Sequence, residues 1–136
     1  MTNDQIDLVQ TSFIKVVPVA DAIASMFYSR LFEIAPELRD LFKDDMVEQG
    51  RKLIQMLGVV VENLNDLDMV IASARDLAVR HVKYGVEPAH YALVGEALIW
   101  TFKNSFGEDF TPPMEEAWAD AYLLLASTMI SATKTA

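Results

Sequence analysis

Apolar residues recur at intervals of three and four along most of the chain, and proline, glycine and short acidic segments separate the periodic stretches. This spacing is typical of amphipathic helices with one face towards a core. No segment shows the clean alternation of a half-buried strand. The pattern therefore predicts an all-α fold of about seven helices, joined by short corners, within a single domain over residues 1–136.

Capping residues and prolines mark where the helices begin and end. Thr2, with Gln5 three residues later, predicts a capping box at the first helix. Thr111 followed by Pro112 predicts the start of the last helix. Between them, the predicted elements are a helix to about Ile34, a short turn over 36–42, a long helix over 46–64, a helix ending near Gly85 and a helix over 88–106.

One polar side chain lies on the apolar face of the helix that ends near Gly85. Val70, Ala74 and Ala78 share that face, and His81 continues it. An imidazole in such a place is either hydrogen-bonded within the protein or bonded to something that is not protein. This helix alone favours the first alternative, a core histidine satisfied internally.

Two other helices each place a polar side chain on an apolar face. Tyr28 lies one turn after Ala24 in the second helix, and Gln49 comes directly before Gly50 in the long helix. Small residues allow two helix backbones to cross closely. If the helices cross at Ala24 and Gly50, then Tyr28 and Gln49 open onto the same pocket. A phenol and a carboxamide facing an inward imidazole are the parts of a site for a metal-bound ligand.

Composition and charge narrow the range of partners. The formal net charge is −9, which argues against nucleic acid or an anionic membrane as partner, since both need a basic patch. There is no cysteine, so disulfide and thiolate chemistry are absent. No apolar run approaches the roughly 20 residues of a membrane span. We therefore expect a soluble, cytoplasmic protein.

Five segments, taken in order, resemble a known family over nearly the whole chain. Their order and spacing are similar to those of bacterial single-domain haemoglobins and of the globin half of flavohaemoglobins. The resemblance implies a globin fold around haem b, iron protoporphyrin IX. The segments are Met26-Phe-Tyr-Ser-Arg-Leu-Phe32, Ala35-Pro-Glu-Leu-Arg-Asp-Leu-Phe42, Gln49-Gly-Arg-Lys-Leu53, Arg80-His-Val-Lys-Tyr-Gly85 and Glu87-Pro-Ala-His-Tyr-Ala-Leu-Val-Gly-Glu96.

The resemblance also assigns roles to single residues. His81 matches the proximal ligand of the haem iron, and Phe42 matches the ring that packs on the porphyrin. Tyr28 and Gln49 match the distal pair that hydrogen-bonds a bound dioxygen, and Leu53 matches the apolar residue over the iron. Further predicted haem contacts are the apolar or aromatic Leu77, Val86, Tyr91 and Val94, and the basic Lys52 and Arg80, for which solvated surface charge is the alternative.

One position departs from the family pattern. Flavohaemoglobins carry a glutamate in the last helix that hydrogen-bonds the proximal assembly, and Thr133 stands there when counted from Trp118. Threonine lacks the charge of a carboxylate, so we do not expect peroxidase-like activation of oxygen. The chain ends at Ala136, so the resemblance implies that any redox cycle takes its electrons from a separate reductase.

Three functions share this set of residues. The first is a haem protein that binds dioxygen reversibly, and nitric oxide and carbon monoxide with it, as a carrier or store. The second is a nitric oxide dioxygenase that works with the separate reductase. The third is a haem-based sensor or a haem-free globin-like regulatory domain. The presence of His81, Phe42, Tyr28 and Gln49 together weighs against the haem-free form.

Overall fold

Helices account for the regular secondary structure of the part of the chain that the structure describes. The computed structural model describes residues 1–42, 45–83 and 87–135. None of the helices in these ranges combines the length and the apolar composition needed to cross a membrane. The α-helices are α1 (Asn3–Val16), α2 (Ala20–Ile34), α3 (Met46–Glu62), α4 (Leu67–Lys83), α5 (Pro88–Phe106) and α6 (Pro112–Thr135).

The predicted all-α class is confirmed, with one difference in the count of helices. The seventh expected element, the short turn over 36–42 after α2, is a 3₁₀ turn over Pro36–Leu41. The segment has six residues and begins with proline, and tight i to i+3 bonding is common in such short connectors. Further 3₁₀ turns cover Val17–Val19, which contains Pro18, and Gly107–Asp109.

The predicted caps are present at both ends of the chain. At α1, Thr2 Oγ1 accepts a hydrogen bond from the Gln5 N–H over 3.1 Å, and Gln5 Oε1 accepts one from the Thr2 N–H over 2.9 Å. The capping box is therefore confirmed. At α6, Thr111 Oγ1 accepts from the Met114 N–H over 3.4 Å. Each cap satisfies main-chain donors that the first turn of a helix leaves unpaired.

The helices pack in pairs, and α3 and α4 pack against different neighbours. α2 packs against α3 and α5, while α6 packs against α1, α4 and α5. Over the described ranges, no extensive packing joins α3 directly to α4. In the core, the Trp118 Nε1–H of α6 donates to Ser12 Oγ of α1 over 2.9 Å, which satisfies the buried indole. Different neighbours therefore hold α3 and α4, the two helices that carry Gln49 and His81.

The crossing of α2 and α3 depends on two small residues. A Cβ atom added at Gly50 would lie 2.7 Å from the Cβ of Ala24, closer than such atoms approach in proteins. The close crossing predicted at these two positions is confirmed. It places Tyr28, one turn beyond Ala24, beside the start of α3, where Gln49 lies.

Replacing Gly50 by alanine is expected to destabilise the fold by about 1–3 kcal/mol, because α2 and α3 must then move apart. Gly58 in the same helix is the matched control. A Cβ there would meet the Phe13 ring at 3.5 Å, an ordinary contact, so Gly58→Ala should gain the roughly 0.5–1 kcal/mol that alanine adds in a helix. Urea unfolding of both variants measures the difference. Equal effects at the two glycines would contradict the tight crossing.

Candidate functional site

His81 lies near the end of α4 with its ring half-buried and one nitrogen already engaged. Its Nδ1 is 2.7 Å from the main-chain carbonyl oxygen of Leu77. A carbonyl oxygen only accepts, so Nδ1 carries the proton and Nε2 keeps its lone pair. Among the described residues, no hydrogen bond engages Nε2.

The charge state of His81 also suits a metal ligand. Burial lowers the pKa of His81, and the hydrogen bond to the Leu77 carbonyl only partly opposes this shift. The imidazole is therefore neutral at pH 7. The sequence suggested that His81 is hydrogen-bonded within the protein. That hydrogen bond exists, but it engages Nδ1 and not Nε2. The two alternatives for His81 are thus compatible, because the bond to Leu77 orients the ring and leaves Nε2 available.

Two tyrosines, Tyr91 and Tyr122, form a further set of contacts next to His81. The ring of Tyr91, at the start of α5, stacks at 6.5 Å from the imidazole with an interplanar angle of 21°. The Tyr122 hydroxyl of α6 donates to the main-chain carbonyl of Tyr91 over 2.6 Å. Burial raises the pKa values of both phenols, so both are neutral. Tyr122 therefore joins α6 to the residue that packs beside the predicted ligand.

Sequence reasoning did not identify Tyr122. The sequence did contain a weak indication of its role, because Tyr122 follows Trp118 by one turn on the buried face of α6. Gly95, in the middle of α5, is its counterpart. A Cβ at Gly95 would lie 2.6 Å from Cε2 of Tyr122, so only glycine leaves room for the ring. A glycine inside an apolar helix often marks such a close approach.

Replacing Tyr122 by phenylalanine is expected to destabilise the protein by roughly 1–2 kcal/mol, since the Tyr91 carbonyl loses its donor while the ring packing is retained. The free energy of unfolding in urea measures this effect. Tyr91→Phe is the matched control, because it removes a phenol hydroxyl from the same region and keeps the accepting carbonyl. An equal loss in both variants would show that the Tyr122 hydrogen bond is not what matters.

Tyr28 and Gln49 come together beside the close crossing of α2 and α3. Tyr28 is only 6% exposed, and burial raises its pKa to about 12, an effect that a side-chain hydrogen bond with Gln49 opposes. The phenol is therefore protonated at neutral pH, and its hydroxyl is able to donate a hydrogen bond. The structure thus joins two polar residues that the sequence placed on separate helices.

Aromatic rings enclose the phenol of Tyr28. Phe42, from the corner after the 3₁₀ turn Pro36–Leu41, meets the Tyr28 ring edge-on at 5.3 Å. Phe27 meets it edge-on at 4.9 Å, and Phe32 stacks on it at 6.0 Å. These rings leave Tyr28 few rotamers. They also make the immediate surroundings of the Tyr28 ring aromatic.

The candidate residues have the chemistry that a flat, apolar, metal-bearing macrocycle such as haem requires. Leu53 on α3, Leu77 on α4 and Val94 on α5 are half-buried, with part of each side chain packed against the core. Apolar side chains that keep part of their surface exposed can line a binding site. A neutral imidazole with a free nitrogen is a common iron ligand. The chemistry of the donor and the character of the walls therefore agree.

The two basic residues predicted to contact haem lie at the surface. Lys52 and Arg80 are both exposed, and the Arg80 guanidinium pairs with Asp76 on the same helix at 2.7 Å. Exposed pairs of this kind contribute little stability. Both residues stay predictions as haem contacts. Val86 lies outside the described residues, and so does the side chain of Thr133.

The fold and the candidate residues define a helical protein with a half-buried imidazole that keeps one nitrogen free and a buried, protonated phenol beside a carboxamide. The chain belongs to the globin family, since residues 25–129 match the sequence model of that family. Membership in the globin family implies that the chain binds haem.

Similar curated proteins carry the name flavohemoprotein. The chain is 27% identical over 133 residues to the flavohemoprotein of Vibrio cholerae serotype O1, which covers 96% of the chain and 34% of that relative. It is 32% identical over 113 residues to the flavohemoprotein of Bordetella pertussis, which covers 81% of the chain and 28% of that relative. The chain thus spans about a third of the length of the curated relatives it matches.

Proposed function

We propose that this globin holds haem b through His81 Nε2 and binds dioxygen reversibly beside Tyr28 and Gln49. The single observation that carries the proposal is the free Nε2 of the neutral, half-buried His81, to which the buried, protonated Tyr28 adds a hydrogen-bond donor. When bound, ferrous haem supplies an iron that takes diatomic ligands: dioxygen, nitric oxide and carbon monoxide. The protein supplies the orientation, the hydrogen bonds and the exclusion of water.

The distal residues act on the bound ligand. Ferrous haem would polarise dioxygen more than carbon monoxide, so a hydrogen-bond donor beside the ligand would favour dioxygen. The Tyr28 hydroxyl is the donor, and the Gln49 carboxamide holds that hydroxyl or adds a second donor. Burial keeps the phenol protonated to about pH 12, so the donor is present over the whole physiological range.

The proximal residues act on His81. The Leu77 carbonyl fixes which nitrogen is protonated and so points the Nε2 lone pair away from its own helix. A neutral carbonyl partner adds less electron density to the imidazole than a carboxylate would. This agrees with a protein that holds dioxygen rather than one that splits it. The ring of Tyr91 packs beside the imidazole and limits its rotation.

Nitric oxide dioxygenation is the second candidate, and the similarity to flavohemoproteins favours it. In this reaction nitric oxide and dioxygen, with one electron from a reductase, give nitrate. The residues would act as above, with Tyr28 holding dioxygen until nitric oxide arrives. The reductase would be a flavin-dependent partner, of the kind that the relatives' name indicates.

Two measurements on the purified, haem-loaded chain test these proposals. Visible spectra of the oxidised, reduced, oxygen-exposed and carbon-monoxide-exposed protein should show a histidine-ligated haem b with a stable dioxygen complex. Nitric oxide consumption is then followed with and without a flavin reductase. One turnover per reduced haem supports the carrier, and sustained turnover with the reductase supports the dioxygenase. A chain that takes up no haem would support the haem-free regulatory domain and overturn both.

A further inference from the structure

The Tyr28 hydroxyl needs more than its own helix to hold it in place. A phenol rotates about two side-chain torsions, and a modest change in either moves its oxygen by more than a hydrogen bond allows. The neighbours that restrict this rotation therefore affect how well Tyr28 donates. One of them, Phe42, is already assigned to the haem contact. Phe32, whose ring stacks on Tyr28, is another of these neighbours.

Phe32 lies one turn after Tyr28 on α2 and connects three aromatic side chains. Its ring stacks on the Tyr28 ring at 6.0 Å with an interplanar angle of 25°. It also meets the Phe42 ring edge-on at 5.4 Å and 66°. Phe32 is only half-buried, unlike Tyr28. Its position is therefore not determined by the core alone.

Arg39 holds Phe32 from the surface. The guanidinium carbon lies 5.1 Å from the centre of the Phe32 ring, within the range of a cation–π interaction. Arg39 belongs to the 3₁₀ turn Pro36–Leu41, which Leu38 anchors in the core with 3% exposure. No salt bridge engages Arg39 among the described residues. Among the described residues, the Arg39 guanidinium interacts with the ring that stacks on Tyr28.

We propose that Phe32 and Arg39 are positioning residues for the Tyr28 hydroxyl, so that an exposed cation sets how strongly the distal phenol holds a bound diatomic ligand. This inference rests on the proposed function, because it assigns the two residues to the donor named there. Arg39 stabilises the orientation of the Phe32 ring, and Phe32 in turn limits the rotation of the Tyr28 phenol. Neither residue needs to touch the ligand.

The test compares dioxygen release from haem-loaded variants by stopped flow. Phe32→Leu removes the stacked ring and should speed release about 2- to 10-fold, the scale of one aromatic pair. Phe32→Tyr keeps the ring and should restore the original rate. Arg39→Met keeps the length of the side chain, removes the charge and should speed release about 2- to 5-fold. Arg75→Met, an exposed arginine on α4, is the matched control and should change nothing.

Two spectroscopic readouts separate positioning from a merely structural role. The carbon–oxygen stretch of bound carbon monoxide should broaden or split in Phe32→Leu and Arg39→Met, since Tyr28 then occupies more than one position. Ring resonances of isotope-labelled tyrosine in the same complex should shift for Tyr28 and not for Tyr91 or Tyr122. A global loss of packing would instead move all three.

The possible failures are distinguishable. Unchanged release in Phe32→Leu and Arg39→Met, beside fast release in Tyr28→Phe, overturns the positioning role and leaves the proposed function intact. Unchanged release in Tyr28→Phe overturns the ligand-stabilising role of Tyr28, and with it this inference. Fast release in Phe32→Tyr, equal to that in Phe32→Leu, also overturns the inference, because the stacked ring would then not be the feature that matters.

Discussion

Replacing His81 by alanine is expected to lower the haem affinity of the chain by roughly tenfold or more, because the proposed bond between His81 Nε2 and the iron would be lost. The stability contributed by bound haem is lost with it. A cofactor present at 100 times its dissociation constant contributes about 2.7 kcal/mol to the free energy of unfolding. Haem titration followed in the visible spectrum measures the first effect, and urea unfolding with and without haem measures the second.

The other histidine is a natural control for this experiment. His90 lies in the first turn of α5, where its Nδ1 accepts a hydrogen bond from the Glu87 N–H over 3.0 Å. His90→Ala should leave haem binding unchanged. In His81→Gly, added imidazole should occupy the space of the missing ring and restore the spectrum of a ligated haem. Full haem binding with an unaltered spectrum in His81→Ala would contradict the assignment of the proximal ligand.

Replacing Tyr28 by phenylalanine is expected to speed dioxygen release about 5- to 150-fold. A buried hydrogen bond to a charged acceptor is worth roughly 1–3 kcal/mol, and this variant removes the donor while keeping the ring. Because the contacts of that ring with Phe32 and Phe42 are kept, the free energy of unfolding should change little. Stopped-flow displacement of dioxygen by carbon monoxide measures the rate.

Carbon monoxide provides an internal control for the Tyr28 prediction. Bound carbon monoxide carries less negative charge than bound dioxygen, so its release should change much less in the same variant. Gln49→Leu should speed dioxygen release by a smaller factor than Tyr28→Phe. If the double variant is no faster than Tyr28→Phe, then Gln49 acts through the phenol. An effect confined to Gln49→Leu would move the role of donor from Tyr28 to Gln49.

Local sequence signals predicted the helices well, because caps and periodicity act over a few residues. The capping box of Thr2 with Gln5 and the cap at Thr111 form as expected. The apolar faces of α2, α3 and α4 are the faces that the structure buries. The short turn expected over 36–42 is present as a 3₁₀ turn over Pro36–Leu41, although the sequence did not specify its i+3 bonding.

The candidate site needed a second kind of sequence information. Helical periodicity put His81, Tyr28 and Gln49 on apolar faces, but it left an internally satisfied histidine as the simpler explanation. The resemblance of five ordered segments pointed to haem, and the match of residues 25–129 to the globin family agrees with it. The close crossing at Ala24 and Gly50 was inferred from residue size alone. It is confirmed, because a Cβ added at Gly50 would lie only 2.7 Å from the Cβ of Ala24.

By itself the sequence determined the helical class, the helix ends and the inward polar residues, because each depends on neighbours within one or two turns. Only the structure showed which nitrogen of His81 is free, since that depends on the rotamer that brings Nδ1 to 2.7 Å from the Leu77 carbonyl. Only the tertiary structure decided the partner of Tyr122 and the contact of the Phe32 ring with Phe42. These two contacts join different elements of the fold, so they form only when those elements pack together, and periodicity within one helix does not predict them.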